Sequence, residues 1–150
     1  MPNIKNITKY KKIHMIGIGG VSMSGIAEIL INWGFSVSGS DHTDSDILHI
    51  LEDAGVQIFI GHNANNVNGV DCVVYTAAIN EDNPEFVHAK ELGIPVIERS
   101  DFLGELTRCY KNTIAISGTH GKTTTTSLVS LCFVEALQDP SVQVGAIIKY

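Results

Sequence analysis

The chain has 150 residues, 44% of them hydrophobic and 17% charged, with a formal net charge of −6. This is the size and composition of one ordinary globular domain with a real core. The acidic balance, with Lys9-Tyr10-Lys11-Lys12 as the densest basic run, argues against an extended phosphate-neutralising surface and so against a nucleic-acid partner. No apolar run reaches the roughly 18–20 residues that span a bilayer, and Met1-Pro2-Asn3-Ile4-Lys5-Asn6 has no apolar signal segment. The expectation is a cytoplasmic protein without membrane insertion.

In chain order, Lys9 to Lys12 reads as a solvated lead-in to a strand at Ile13–Gly17. A helix over Ser22–Asn32 closes at Gly34, and a strand follows at Ser36–Gly39. The same rhythm repeats with a helix over Asp44–Asp53, Gly55 and a strand at Gln57–Ile60. It recurs with a strand at Cys72–Tyr75, a helix over Pro84–Leu92, Gly93 and a strand at Val96–Ile97. Glycine just past a helix closes its last turn, and alternating strands and helices read as βαβ units on a parallel sheet. Thr43-Asp44-Ser45-Asp46 resembles a capping box. Asn83-Pro84 places a cap before a first-turn proline, and Ser100 is a candidate cap for a helix over Asp101–Cys109. A boundary is expected near Arg108 to Asn112. Beyond it come a strand at Thr113–Ile116, a helix over Lys122–Leu137 and a further strand within Val142–Ile148. The fold class is therefore α/β: a Rossmann-like parallel-sheet domain over 1–110, followed over 111–150 by the start of a P-loop ATP-binding α/β domain. Cys72, Cys109 and Cys132 are odd in number, widely spaced and set among apolar neighbours, which predicts buried reduced thiols and no metal centre.

Two turns carry chemistry. In the first, Gly17-Ile18-Gly19-Gly20-Val21-Ser22 joins a strand to a helix. Gly17 permits a tight turn, Gly19 lets backbone approach a diphosphate, and the helix start supplies free N–H groups. Asp41 ends the next strand, where a carboxylate commonly meets a ribose hydroxyl. Ser22 stands where the third glycine of the dinucleotide fingerprint would be, so the match is partial. An NAD-binding oxidoreductase domain is one reading of this turn.

The second turn, Gly118-Thr119-His120-Gly121-Lys122-Thr123-Thr124, follows an apolar run and opens a helix. Its backbone N–H groups suit an anion nest. Lys122 has the reach for β- and γ-phosphates, and the Thr123 hydroxyl is placed for Mg²⁺. Ile116 occupies the first glycine position of the longer P-loop pattern, so this is a short form. His120 reads equally as a nucleotide contact or a turn residue, and Thr125 and Thr126 as servants of the helix.

Two such loops about a hundred residues apart resemble the Mur ligases of peptidoglycan synthesis. Further motifs carry the resemblance from Ile13 to about Gly145: Met23-Ser24-Gly25-Ile26-Ala27-Glu28, Ser38-Gly39-Ser40-Asp41, Tyr75-Thr76-Ala77-Ala78-Ile79 and Asp82-Asn83-Pro84-Glu85. They point to the branch that joins L-alanine to UDP-N-acetylmuramate. The resemblance implies a UDP-sugar site at Gly17, Gly19, Gly20, Ser22, Asp41 and Thr76. It implies ATP at Gly118, Thr119, His120, Gly121, Lys122, Thr123 and Thr124, with Mg²⁺ at Thr123 and Lys122 as the catalytic cation. The γ-phosphoryl group would pass to the lactyl carboxylate, and the L-alanine amine would attack the acyl phosphate. A related ligase that adds a preformed peptide to the same sugar is the near alternative. Thr76-Ala77 stands where family members often have two serines. His62 reads as a loop histidine ahead of a uridine contact, and Arg99 as a surface charge ahead of a substrate contact. The resemblance also implies an N-terminal fragment of the ligase. Such a fragment should bind without catalysing, and should self-associate through exposed edges of its second domain or be disordered after about Asn112.

Overall fold

Alternation along one strand organises the first part of the chain. In β1 (Lys12–Ile16), Ile13 and Met15 point to one face of the sheet and His14 and Ile16 to the other, and all of them are buried. The structure, a computed structural model, describes residues 7–144. It divides the chain into two units, 1–110 and 111–150.

In the first unit β1 lies at the centre, parallel to β2 (Ser36–Asp41) on one side and β4 (Cys72–Tyr75) on the other. Ile13 stands opposite both Val37 and Cys72. With β3 (Gln57–Ile60) and β5 (Val96–Glu98), the sheet runs β3-β2-β1-β4-β5, and every pairing is parallel. Parallel neighbours require crossover connections. Most of these are α1 (Val21–Asn32), α2 (Asp46–Asp53) and α3 (Pro84–Glu91), while α4 (Arg99–Thr107) follows β5 directly. On one face Met23, Ile26 and Leu30 of α1, Leu48 and Leu51 of α2, and Phe102 and Leu106 of α4 pack against Ile13 and Met15. On the other, Phe86 and Ala89 of α3 join Val67, from a 3₁₀ turn at Ala64–Val67, over Ile16 and Val73. This is a three-layer Rossmann-like arrangement, covered on both faces as apolar parallel strands require.

Asn83 caps α3 as its sequence suggests, accepting from the N–H groups of Glu85 (2.9 Å) and Phe86 (3.3 Å) ahead of Pro84. Two other caps differ from expectation. The box at Thr43 does not form: α2 begins at Asp46 behind Ser45, which makes no side-chain cap bond, while the Thr43 N–H turns back to Asp41 Oδ1. Nor does Ser100 cap. α4 starts at Arg99, immediately after β5, and the Ser100 hydroxyl donates to Glu98 instead.

In the second unit α5 (Lys122–Glu135) is the one regular element among the described residues. The strand expected at Thr113–Ile116 is not formed: these residues pair with no strand, and Ile114 is 60% exposed. A strand exists only through its ladder, and apolar β-branched sequence does not replace a neighbour. Residues 142–144 are also irregular, and 145–148 of the other expected strand lie outside the described residues. The cysteine expectation holds only in part. Cys72 is buried, and burial pushes its thiol up to about 12, but Cys109 and Cys132 are exposed. Cys109 falls just past α4, and Cys132 sits on a helix whose apolar residues lack cover.

Two internal features hold the carboxyl edge of the sheet. Ile18 packs directly on the backbone of Gly39: a Cβ there would meet Ile18 Cδ1 at 2.5 Å and Ile18 Cβ at 2.7 Å. On the opposite face Glu85, fully buried, is surrounded by donors. Ser40 Oγ donates to Oε2 (2.6 Å), Asn66 Nδ2 to Oε1 (2.6 Å), and His62 Nδ1 lies 3.0 Å from Oε2. His14 Nε2 lies 3.6 Å from Oε1, beyond hydrogen-bond reach, while its Nδ1 meets Ser38 Oγ at 2.9 Å. Burial raises the Glu85 pKa, but the nearby His14 ring and the bonds from Ser40 and Asn66 outweigh it and hold the carboxyl at about 2. Asp71 is likewise lowered, by the Lys11 and Lys12 N–H groups that tie the start of β1 to the approach to β4.

Gly39→Ala should destabilise the first unit by about 1–3 kcal/mol, the scale of overpacking a tight site. Urea unfolding checks this, and adding Ile18→Ala should recover part of the loss specific to the clash. Stability should also depend on acid. Glu85 and Asp71 are depressed in the fold relative to the unfolded chain, so their contribution is present above the ordinary carboxylate range. It is lost as pH falls from about 4.5 toward about 2. A Glu85→Gln variant should show a flatter stability profile over that window.

Candidate functional site

Beyond β1 the chain turns at the point where the strand order reverses, between β1 and β4, which is where open α/β sheets form a ligand crevice. Gly17 has φ +80°, a conformation open to glycine and costly for other residues. The N–H groups of Gly17 and Ile18 both donate to the Ser40 carbonyl (2.8 and 3.1 Å), so the loop is tied to β2 as it leaves β1. Gly20 then caps α1 with no side-chain bond.

The structure places Asp41 differently from a free ribose-binding acid. Its Oδ2 accepts the Gly19 N–H at 2.9 Å. A Cβ on Gly19 would come 2.9 Å from that same oxygen. Gly19 is therefore small for the carboxylate brace as well as for any diphosphate. Thr76, just past β4, stands across from Gly17, its Cγ2 3.7 Å and Oγ1 3.8 Å from where a Gly17 Cβ would sit. Gly17, Gly19, Gly20, Asp41 and Thr76 are thus gathered at one sheet edge.

Two residues that the sequence left on the surface join them. Arg99, the first residue of α4, is partly buried and its Nη1 donates to Ser22 Oγ at 3.0 Å. That contact brings a guanidinium to the mouth of the first loop. His62, beyond the end of β3, is a loop residue by position, but its ring is held by Ser40 and Glu85. The signal available for Arg99 was its place immediately after the strand beside β4. For His62 it was the pairing of a post-strand histidine with a buried acid, which only the fold brings together.

In the second unit Gly121 caps α5 with φ +75° and ψ 1°, a left-handed conformation that glycine takes without strain. This turn aims the start of α5 back over the loop. Lys122 Nζ donates to the carbonyls of Gly118 (2.6 Å) and Thr119 (3.3 Å), so the ammonium is held above the turn and remains exposed. Thr119, His120, Thr123 and Thr124 are exposed beside it. Thr126 Oγ1 bonds the Lys122 carbonyl at 2.8 Å and serves the helix. Among the described residues no cluster of His, Cys, Asp and Glu could by itself hold a metal ion. A hydroxyl such as that of Thr123, together with phosphate oxygens, fits the way Mg²⁺ is held with a nucleotide.

Comparisons with known proteins identify the family. Residues 12–111 match the model of the Mur ligase family, catalytic domain. The chain is 51% identical over 143 residues to UDP-N-acetylmuramate–L-alanine ligase of Acetivibrio thermocellus, covering 95% of this chain and 30% of that protein. It is 56% identical over 135 residues to the enzyme of the same name from Clostridium novyi, covering 90% and 30%. The solved structure of UDP-N-acetylmuramate-alanine ligase from Thermotoga maritima superposes with a TM-score of 0.85 at 36% identity, over 91% of this chain and 32% of that one. A UDP-N-acetylmuramate:L-alanyl-gamma-D-glutamyl-meso-diaminopimelate ligase from Neisseria gives 0.77 at 32%, over 84% and 40%. The chain spans about 30% of the length of the curated relatives it matches. With its central strand, its reversal-point loop and two thirds of its residues inside one family model, the chain belongs to the Mur ligase family.

Proposed function

We propose that this chain is the nucleotide-sugar-binding portion, with the beginning of the ATP-binding portion, of an ATP-dependent ligase that joins L-alanine to UDP-N-acetylmuramate. The observation that carries it is identity above 50% to ligases of that name, in an alignment of 143 of the 150 residues that reaches both loops. The ligase that adds a preformed peptide is the second reading, supported by a solved neighbour at 32%. An NAD-binding role leaves Lys122 and its glycine turn without a purpose.

In this reading residues 1–110 hold the UDP-sugar and residues 111–150 begin the ATP-binding domain. The diphosphate lies over Gly17, Gly19, Gly20 and Ser22, against the N-terminus of α1, with Thr76 across the crevice and Asp41 bracing the turn from beneath. The Arg99 guanidinium adds a cation at the same mouth. The ATP phosphates lie over Gly118 to Thr124. Lys122, released from the loop carbonyls, stabilises charge on the transferring phosphoryl group, the kind of term that dominates phosphoryl transfer. Bound Mg²⁺ would supply further charge neutralisation, with Thr123 among its ligands. The lactyl carboxylate is activated as an acyl phosphate, and the L-alanine amine displaces phosphate to form the amide. The reaction belongs to the cytoplasm, where ATP and the nucleotide sugar meet.

Thermal-shift titration should show UDP-N-acetylmuramate raising the unfolding midpoint while NAD leaves it unchanged. A ligand at about 100 times its dissociation constant contributes about 2.7 kcal/mol, several degrees for a unit of this size. The chain alone should release no ADP in response to L-alanine. A shift with NAD in place of the UDP-sugar would refute the substrate assignment, and L-alanine-dependent turnover would refute the inactivity.

The second unit exposes Ile114, Leu128, Phe133, Val134 and Leu137, the last at 91%. Apolar surface of this kind drives association. Light scattering should find concentration-dependent self-association that Leu128→Ser with Leu137→Ser reduces; a strictly monomeric parent chain would contradict it.

A further inference from the structure

The buried carboxylate on the α3 face has no place in the reaction as described, yet it reaches the carboxyl edge of the sheet through one side chain. Glu85, Ser40 and His14 are fully or almost fully enclosed. His62 is the member whose ring emerges, with 19% of its side chain exposed. It lies just past β3, whose last residue pairs with Asp41 and whose next N–H, that of Gly61, bonds the Asp41 carbonyl at 2.7 Å. His62 therefore shares an edge with Gly19, which Asp41 braces.

The hydrogen positions follow from the acceptors. An ionised carboxylate only accepts. The Ser40 hydroxyl spends its single hydrogen on Glu85 Oε2 at 2.6 Å, so its oxygen also faces His62 as an acceptor. His62 Nδ1 lies 3.1 Å from that oxygen and 3.0 Å from Oε2. A lone pair on Nδ1 would confront two acceptors, so Nδ1 carries the proton. In the neutral ring Nε2 is then an acceptor. It has no partner among the described residues and is not among the buried unpartnered atoms, so it opens to solvent. The titratable groups facing Glu85 are His14 from β1 and His62 from the β3 loop; Asn66 and Ser40 complete its shell without charge of their own.

We propose that Glu85, with Ser40, is a positioning residue for nucleotide binding: it locks His62 in the Nδ1–H tautomer and presents Nε2 at the sheet edge as the acceptor for a hydrogen-bond donor of the uridine. The donor is a ribose hydroxyl or the imide N–H of the base. This role rests on the uridine-diphosphate reading of the first unit, and a serine–glutamate pair selects the less common tautomer because both partners are acceptors toward the ring.

Two measurements on the whole chain test it. In ligand-free protein, ¹H–¹⁵N multiple-bond correlation spectra of the histidines should show His62 protonated at Nδ1, and Glu85→Gln should shift the ring toward a mixture with the Nε2–H form. In calorimetry, His62→Phe and Glu85→Gln should each weaken UDP binding by about tenfold, and the double variant should be no weaker than His62→Phe alone. A merely structural Glu85 would instead give losses that add. Should Glu85→Gln fail to fold, Ser40→Ala replaces it in the cycle. 3-Methyl-UDP and 2′,3′-dideoxy-UDP separate the two donors: one should lose affinity in the parent chain and not in His62→Phe. An Nε2–H tautomer in the parent chain, additive losses, or equal binding of both analogues overturns the proposal. A parent chain that binds no UDP overturns the nucleotide reading and this role with it, whatever the spectra show.

Discussion

The close approach of Ile18 to Gly39 is the contact on which the first unit's edge depends. No side chain fits at position 39 with Ile18 where it is, and with that contact made the Ser40 carbonyl collects the Gly17 and Ile18 N–H groups. The next residue, Asp41, is then within reach of the Gly19 N–H. A hydrophobic packing requirement thus sets the position of a polar loop. The tripeptide Gly39-Ser40-Asp41 shapes the loop with a missing side chain, a carbonyl and a carboxylate, while the Ser40 hydroxyl serves the opposite face.

The second loop has a different support. No strand braces it among the described residues; its shape comes from the left-handed Gly121 and from Lys122 folding back onto Gly118 and Thr119. Backbone conformation and one ammonium are enough to preform the turn. They are not enough to bury α5, whose apolar side chains remain open. Local sequence can specify the turn, but the core beneath it needs strands to pack against.

That contrast marks what was legible in the sequence. The strands at Gln57–Ile60 and Cys72–Tyr75 and the cap at Asn83 rest on nearest-neighbour chemistry, and the structure has them where the residues imply. The strand at Thr113–Ile116 had the right composition and no ladder, because pairing is not encoded within a segment. By position Glu85 is a first-turn acid of α3, suited to the helix dipole. Only the crossover that lays α3 over β1 and β4 turns it into a buried anion facing His14, Ser40 and His62. Asp41 was legible by position, at the end of β2, but its engagement with Gly19 depends on where the loop goes. Arg99 was legible as a charge, and its contact with Ser22 needs the distance from β5 to α1 to be closed by the fold.

Register connects these points. Along β2, Val37, Gly39 and Asp41 lie on the α1 side and Ser36, Ser38 and Ser40 on the other. A slip of one residue would exchange the faces. It would set Ser40 under Ile18, remove the carboxylate from Gly19 and leave Glu85 without its shortest hydroxyl donor. An ionised carboxylate with no donors inside a fold is costly, and a Cβ beneath Ile18 is sterically excluded. The wrong register is therefore penalised on both faces at once. The residues that shape the first loop are the same ones that make the correct pairing of β2 with β1 the lowest in free energy, so the loop and the sheet cannot be varied independently.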